Sequence, residues 1–80
     1  MGLGPKSQAM LERAGIDSPD DLRALGAVKA YLLVKRNEPG VSLNLLWALE
    51  GAITERRWQD VARDQRTSLL LALEDEARRP

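Results

Sequence analysis

Chemistry in an 80-residue chain has to come from a few residue types, and the first place they gather is Gly2-Leu3-Gly4-Pro5-Lys6. A glycine, aliphatic, glycine turn running into a helix lets a phosphate approach the backbone amides. The helix start carries partial positive charge, and Lys6 adds a full one. The same residues also read as a capped helix start, with Gly4 as the cap and Pro5 in the first turn, where its missing N–H does no harm. Both readings stand. Pro39-Gly40-Val41-Ser42 is a second hairpin-like turn, but serine occupies the place of the second glycine and Glu38 would repel an anion. That favours an ordinary helix cap. A third group, Arg56-Arg57-Trp58, sets two cations beside an aromatic able to stack on a base or anchor a protein interface.

Catalysis finds little support. Histidine and cysteine are both absent, which excludes imidazole bases, disulfides, and thiolate or imidazole zinc sites. Lys6 and Ser7 do not make a nucleophile pair, because adjacent helical side chains point about 100° apart. Asp20 and Asp21 suit the positive end of a helix better than a metal site. No enzymatic activity, cofactor or metal is expected.

Twelve basic and twelve acidic groups cancel, with six against four over residues 1–36 and six against eight over residues 37–80. The chain therefore lacks the basic excess of a non-specific nucleic-acid binder. No apolar run approaches the roughly 18 residues of a membrane span, and no signal peptide is evident. A cytoplasmic location and no membrane association are expected.

The elements that must position these groups are helical. Residues 1–80 are read as one domain, since no linker-like stretch divides them. A helix over about residues 5–14 ends at Gly15, with Ile16 folding back on Leu11. Ser18 caps a short second helix that starts with Pro19, Asp20 and Asp21 and buries Leu22 and Leu25. After Gly26, a third helix over residues 27–36 places Val28, Tyr31 and Leu32 on one face. Ser42 caps a fourth, with Val41 and Leu46 as a hydrophobic staple and Leu45, Leu46, Leu49 and Ile53 as its core face. Gly51 within it marks the close approach of another helix. A final helix over about residues 62–77 buries Leu69, Leu70 and Leu73, with Glu74/Arg78 and Asp75/Arg79 paired on its exposed side. Trp47 and Trp58 are each expected to be partly buried with one edge free. The expected architecture is a compact five-helix, all-α domain.

Taken in order, Leu3-Gly4-Pro5-Lys6-Ser7, Gly15-Ile16, residues 19–22, Leu25-Gly26-Ala27-Val28 with Tyr31, residues 39–46, and Ala48-Leu49-Glu50-Gly51-Ala52 with Trp58 make this chain resemble the TfoX/Sxy C-terminal domain family. The resemblance covers nearly all of residues 3–73. It implies a helix-hairpin-helix type fold, similar in outline to the C-terminal domain of the RNA polymerase alpha subunit. It also implies a bacterial regulatory role, in the family's case regulation of competence for DNA uptake and transformation.

Three modes of action follow. The first is docking on a protein, such as a component of the transcription machinery, through Arg56, Arg57 and Trp58. The second is DNA binding through Gly2, Leu3, Gly4 and Lys6, with Lys29, Lys35 and Arg36 as auxiliary phosphate contacts. The third is homodimerisation through the leucine-rich last helix.

Overall fold

Proline and glycine placement sets the helix boundaries. The computed structural model describes residues 3–79, in which six helices form and no strand occurs. Pro5 opens α1 (Pro5–Arg13). At its end the Gly15 and Ile16 amides donate to the Glu12 and Leu11 carbonyls at 3.0 and 2.9 Å, the paired bonds of a Schellman motif, and Ile16 is buried. The Ser18 hydroxyl accepts from the Asp21 amide at 3.1 Å and caps α2 (Pro19–Leu25). Gly26 then takes φ 84 and ψ 160, a conformation open essentially to glycine alone, and turns the chain directly into α3 (Ala27–Asn37).

α3 is the central element, packed against α1, α2, α4 and α6. Its buried stripe is Ala27, Ala30, Tyr31 and Val34, spaced i, i+3, i+4, i+7. This corrects the expected Val28, Tyr31 and Leu32 face: small alanines let the neighbouring helices approach, and Val28 and Leu32 sit half-buried at its margin. Burial pushes the Tyr31 phenol above its ordinary pKa, and its hydroxyl donates to the Val41 carbonyl at 3.4 Å. That bond ties the turn before the next helix to α3.

α4 (Asn44–Thr54) starts two residues after Ser42 rather than immediately beside it. The Ser42 hydroxyl still accepts from the Asn44 amide at 3.2 Å. Leu45, Leu46, Trp47 and Leu49 are buried, whereas Ile53 is only half-buried against the core.

The expected fifth helix is two. α5 (Trp58–Asp64) and α6 (Arg66–Ala77) meet at Gln65, whose φ of −120 bends the chain. Val61 is fully buried where α5 lies on α4, and Leu69 is buried where α6 reaches α3, so the chain must serve two partners in succession. The polar run from residue 63 to 68 gives no periodicity that would reveal this break. Leu70 and Leu73 are half-buried rather than core, and Arg78–Glu74 and Arg79–Asp75 pair on the exposed side as expected.

Gly51 accommodates a close approach, but from a loop rather than a helix. A Cβ at this position would sit 2.5 Å from the Arg56 carbonyl oxygen and 3.5 Å from the Trp58 nitrogen. The chain doubles back there through Glu55, which holds the left-handed conformation (φ 58, ψ 42) while the Arg56 amide donates to the Gly51 carbonyl at 2.9 Å.

Two substitutions test this turn. Helix propensity alone would make Gly51→Ala stabilising by about 1 kcal/mol. The backbone collision should reverse the sign and cost about 1–3 kcal/mol, read as a fall of roughly 4–8 °C per kcal/mol in thermal midpoint. Glu55→Gly removes left-handed strain and should raise stability by about 1 kcal/mol.

Candidate functional site

The two glycine turns and the tryptophan singled out in the sequence converge on one side of the fold. Leu3 is buried and its carbonyl accepts from the Gln8 side-chain amide at 3.3 Å, which pins the chain entering α1. Gly4 is the extended N-cap of α1 and offers no side-chain cap, while Lys6 is exposed in the first turn. The second turn is closed by the Val41 amide donating to the Glu38 carbonyl at 3.0 Å. Both turns line one groove of about 770 Å³ whose apolar surface comes from Met10, Leu45 and Ala48, with Trp58 in its wall. Glu38 also lines it, with one carboxylate oxygen bonded to Arg13 at 3.0 Å and the other buried without a hydrogen-bond partner. That acid disfavours an anion in the groove.

Trp58 is 44% exposed, whereas Trp47 is 2% and Tyr31 1% exposed. Trp47 is deeper than expected, its ring covered by the Arg66 guanidinium at 5.7 Å. Trp58 stands at the first position of α5, just beyond the Gly51 contact, and also walls a second cleft of about 560 Å³. Ala48, Gly51 and Ala52 of α4 supply small residues to this cleft, and Arg23, Arg56 and Arg57 supply its cations.

Arg23 pairs with Asp20 of its own helix at 3.1 Å, whereas Arg56 and Arg57 are held by aspartates of α5. Arg56 meets Asp64 at 2.7 Å, Arg57 meets Asp60 at 3.3 Å, and Arg63 bridges both acids. The Arg57 hydrogen bond, with the nearby guanidiniums, holds the Asp60 carboxyl below the ordinary aspartate range. Hydrogen bonds from Arg63 and Arg56 do the same for Asp64. The Gln65 amide fits this network when its nitrogen faces Glu50 at 3.1 Å and its oxygen faces Arg56 at 2.7 Å. One side chain then links α4, the turn before α5, and the start of α6.

The expected auxiliary cations do not join this surface. Lys29 lines a separate shallow cleft with Glu50, Asp75 and Glu76. Lys35 lies 5.9 Å from the Tyr31 ring centroid, and it and Arg36 occupy the last turn of α3, where the helix dipole favours cations. Gly2 lies outside the described residues. Sequence reasoning missed Arg23, which has no distinctive neighbours in the chain and reaches the site only through the packing of α2 on α4. Among the described residues, no helix is long and apolar enough to cross a membrane, and no three acids cluster as a metal site.

Comparison with known proteins places this geometry in context. The family model of the TfoX C-terminal domain matches residues 2–73, which takes in α1 to α5 and most of α6. A crystal structure of a protein of unknown function from Listeria monocytogenes superposes with a TM-score of 0.79 at 31% identity, covering 85% of this chain and 84% of that one. No curated protein matches the chain.

Two measurements check the site as built. Acrylamide should quench the Trp58 emission strongly in a Trp47→Phe variant and the Trp47 emission weakly in a Trp58→Phe variant; equal quenching would contradict the difference in burial. Because Asp60 and Asp64 have lowered carboxyl pKa values in the fold, their contribution is complete above the unfolded value near 3.8 and is lost as pH falls through the folded values. Acid unfolding of Asp60→Asn/Asp64→Asn should therefore show a flatter pH dependence below about pH 4 than the parent chain.

Proposed function

Since the chain belongs to the TfoX C-terminal domain family, we propose that it is a non-enzymatic bacterial regulatory module of the cytoplasm that acts by docking on a protein through the surface around Trp58. One observation carries this reading. The most exposed aromatic of the fold stands between two clefts, while the other tryptophan and the tyrosine are buried. Tryptophan and arginine dominate protein-binding energies when they fill concave, desolvated sites. Family membership makes a component of the transcription machinery the first partner to test, in competence regulation or a related pathway.

DNA binding is the second reading. It is supported by the uncapped start of α1 beside exposed Lys6, with the residue 4–6 and residue 40–44 turns as the hairpin positions of a helix-hairpin-helix type fold. Glu38 in the same groove and the separation of Lys29 from it argue against a phosphate track. For homodimerisation, α6 offers one strongly exposed leucine, Leu71, which is ordinary for a monomer.

Binding to purified bacterial RNA polymerase, followed by interferometry, should weaken by about 30-fold in Trp58→Ala if this residue is an anchor worth about 2 kcal/mol. Circular dichroism should show the fold retained. Undiminished binding by that variant would remove the surface assignment. Anisotropy with labelled duplex DNA should show no binding at low salt; steep salt-dependent binding would favour the second reading.

A further inference from the structure

The chain's charges cancel in total, yet its clefts are not neutral. Three guanidiniums and one carboxylate, Glu55, line the cleft beside Trp58. The cleft containing Lys29 has the opposite balance, with Glu50, Asp75 and Glu76 against a single lysine. The aspartates that pair with Arg23, Arg56 and Arg57, namely Asp20, Asp64 and Asp60, do not line the Trp58 cleft. They hold the arginines from outside it.

We propose that the cleft between the end of α2 and the α4–α5 turn takes an acidic segment of a partner protein that sets an apolar side chain against Trp58. This inference rests on the docking reading above and names the partner's chemistry. Arg23 and Arg57 are the residues with room to respond, since their side chains are 53% and 76% exposed; Arg23 holds Asp20 by one i,i+3 hydrogen bond, and Arg57 holds Asp60 by two long ones of 3.3 and 3.4 Å. Exposed pairs of this kind contribute little, so an incoming carboxylate can take over a guanidinium without a large loss. Arg56, 36% exposed and bonded to Asp64, serves instead to hold the turn. The small residues Ala48 and Ala52 leave an apolar depression against which the exposed Trp58 ring can close over an aliphatic or aromatic side chain, while Gly51 between them is filled by the Arg56 carbonyl. A guanidinium rim around an apolar anchor point selects acidic segments by charge and retains them by burial.

The test is an NMR titration of the full chain with three synthetic peptides of one length. One carries glutamates around a Leu-Leu pair, one has glutamine at every glutamate position, and one has lysine there. The glutamate peptide should bind, with the largest amide shifts at Ala52, Arg57 and Gln59, and at least about tenfold more tightly than the glutamine peptide. Arg23→Glu/Arg57→Glu should reverse the preference toward the lysine peptide, and Arg23→Gln/Arg57→Gln should reduce the discrimination without reversing it.

Equal affinity for the glutamate and glutamine peptides, no glutamate-peptide binding at millimolar concentration, or shifts confined to Lys6 and Ser42 would overturn the proposal. So would a salt-sensitive rise in mass by light scattering, which would make a second copy the occupant, or duplex DNA causing the shifts in place of peptide. If Trp58→Ala abolishes polymerase binding while both double variants leave it intact, docking stands and the acidic partner class fails. If none of the three variants affects it, the docking surface itself fails.

Discussion

The approach of the Arg56 carbonyl to the bare Cα of Gly51 is the contact on which the exposed surface depends. It allows the chain to reverse at the end of α4 and start α5 with little intervening loop, so Trp58 emerges next to the α4 face instead of continuing away from it. Glu55 accepts a left-handed backbone to complete the reversal, a conformation that side chains with a Cβ adopt at an energetic cost. Two unusual backbone features therefore lie within eight residues of the most exposed aromatic in the fold. Local strain that persists beside a concave surface is the arrangement expected where position matters more than stability.

Electrostatics then fixes what the reversal presents. Three arginines surround two aspartates on α5 and its preceding turn, and Gln65 extends the network to α4 and α6. Individually such surface pairs are weak, but members that share partners restrain one another. The result is a cleft edge at which Arg56 is held in place while Arg57 stays largely open to solvent. Net charge read from composition hides this arrangement, because the opposing acids gather around Lys29 on a different part of the molecule.

Much of the fold was legible in the sequence where local rules decide the outcome. Gly15-Ile16, Ser18-Pro19 and Gly26 marked true boundaries, and the caps and motifs they form involve only near neighbours in the chain. Errors arose where two elements compete for one stretch. The bend at Gln65 follows from α5 packing on α4 and α6 packing on α3, and neither demand leaves a breaker residue in the polar run between them. The rotation of the α3 face has a similar origin. Valine and leucine outweigh alanine in a periodicity argument, but close packing around the central helix selects the alanines.

For the site, the separate words were visible while their assembly was not. Gly4, Lys6, Ser42 and Trp58 each carried a reading, and only the tertiary structure shows that they line one groove. Arg23 carried none.

The Trp58 ring belongs to both clefts, so its rotamer is a shared variable. A molecule seated on one side that fixes the indole changes the entropy left to be lost by a molecule arriving on the other. Whatever factor links the two affinities must act equally in both directions. One aromatic hinge would thus give the domain a means of sensing two occupants.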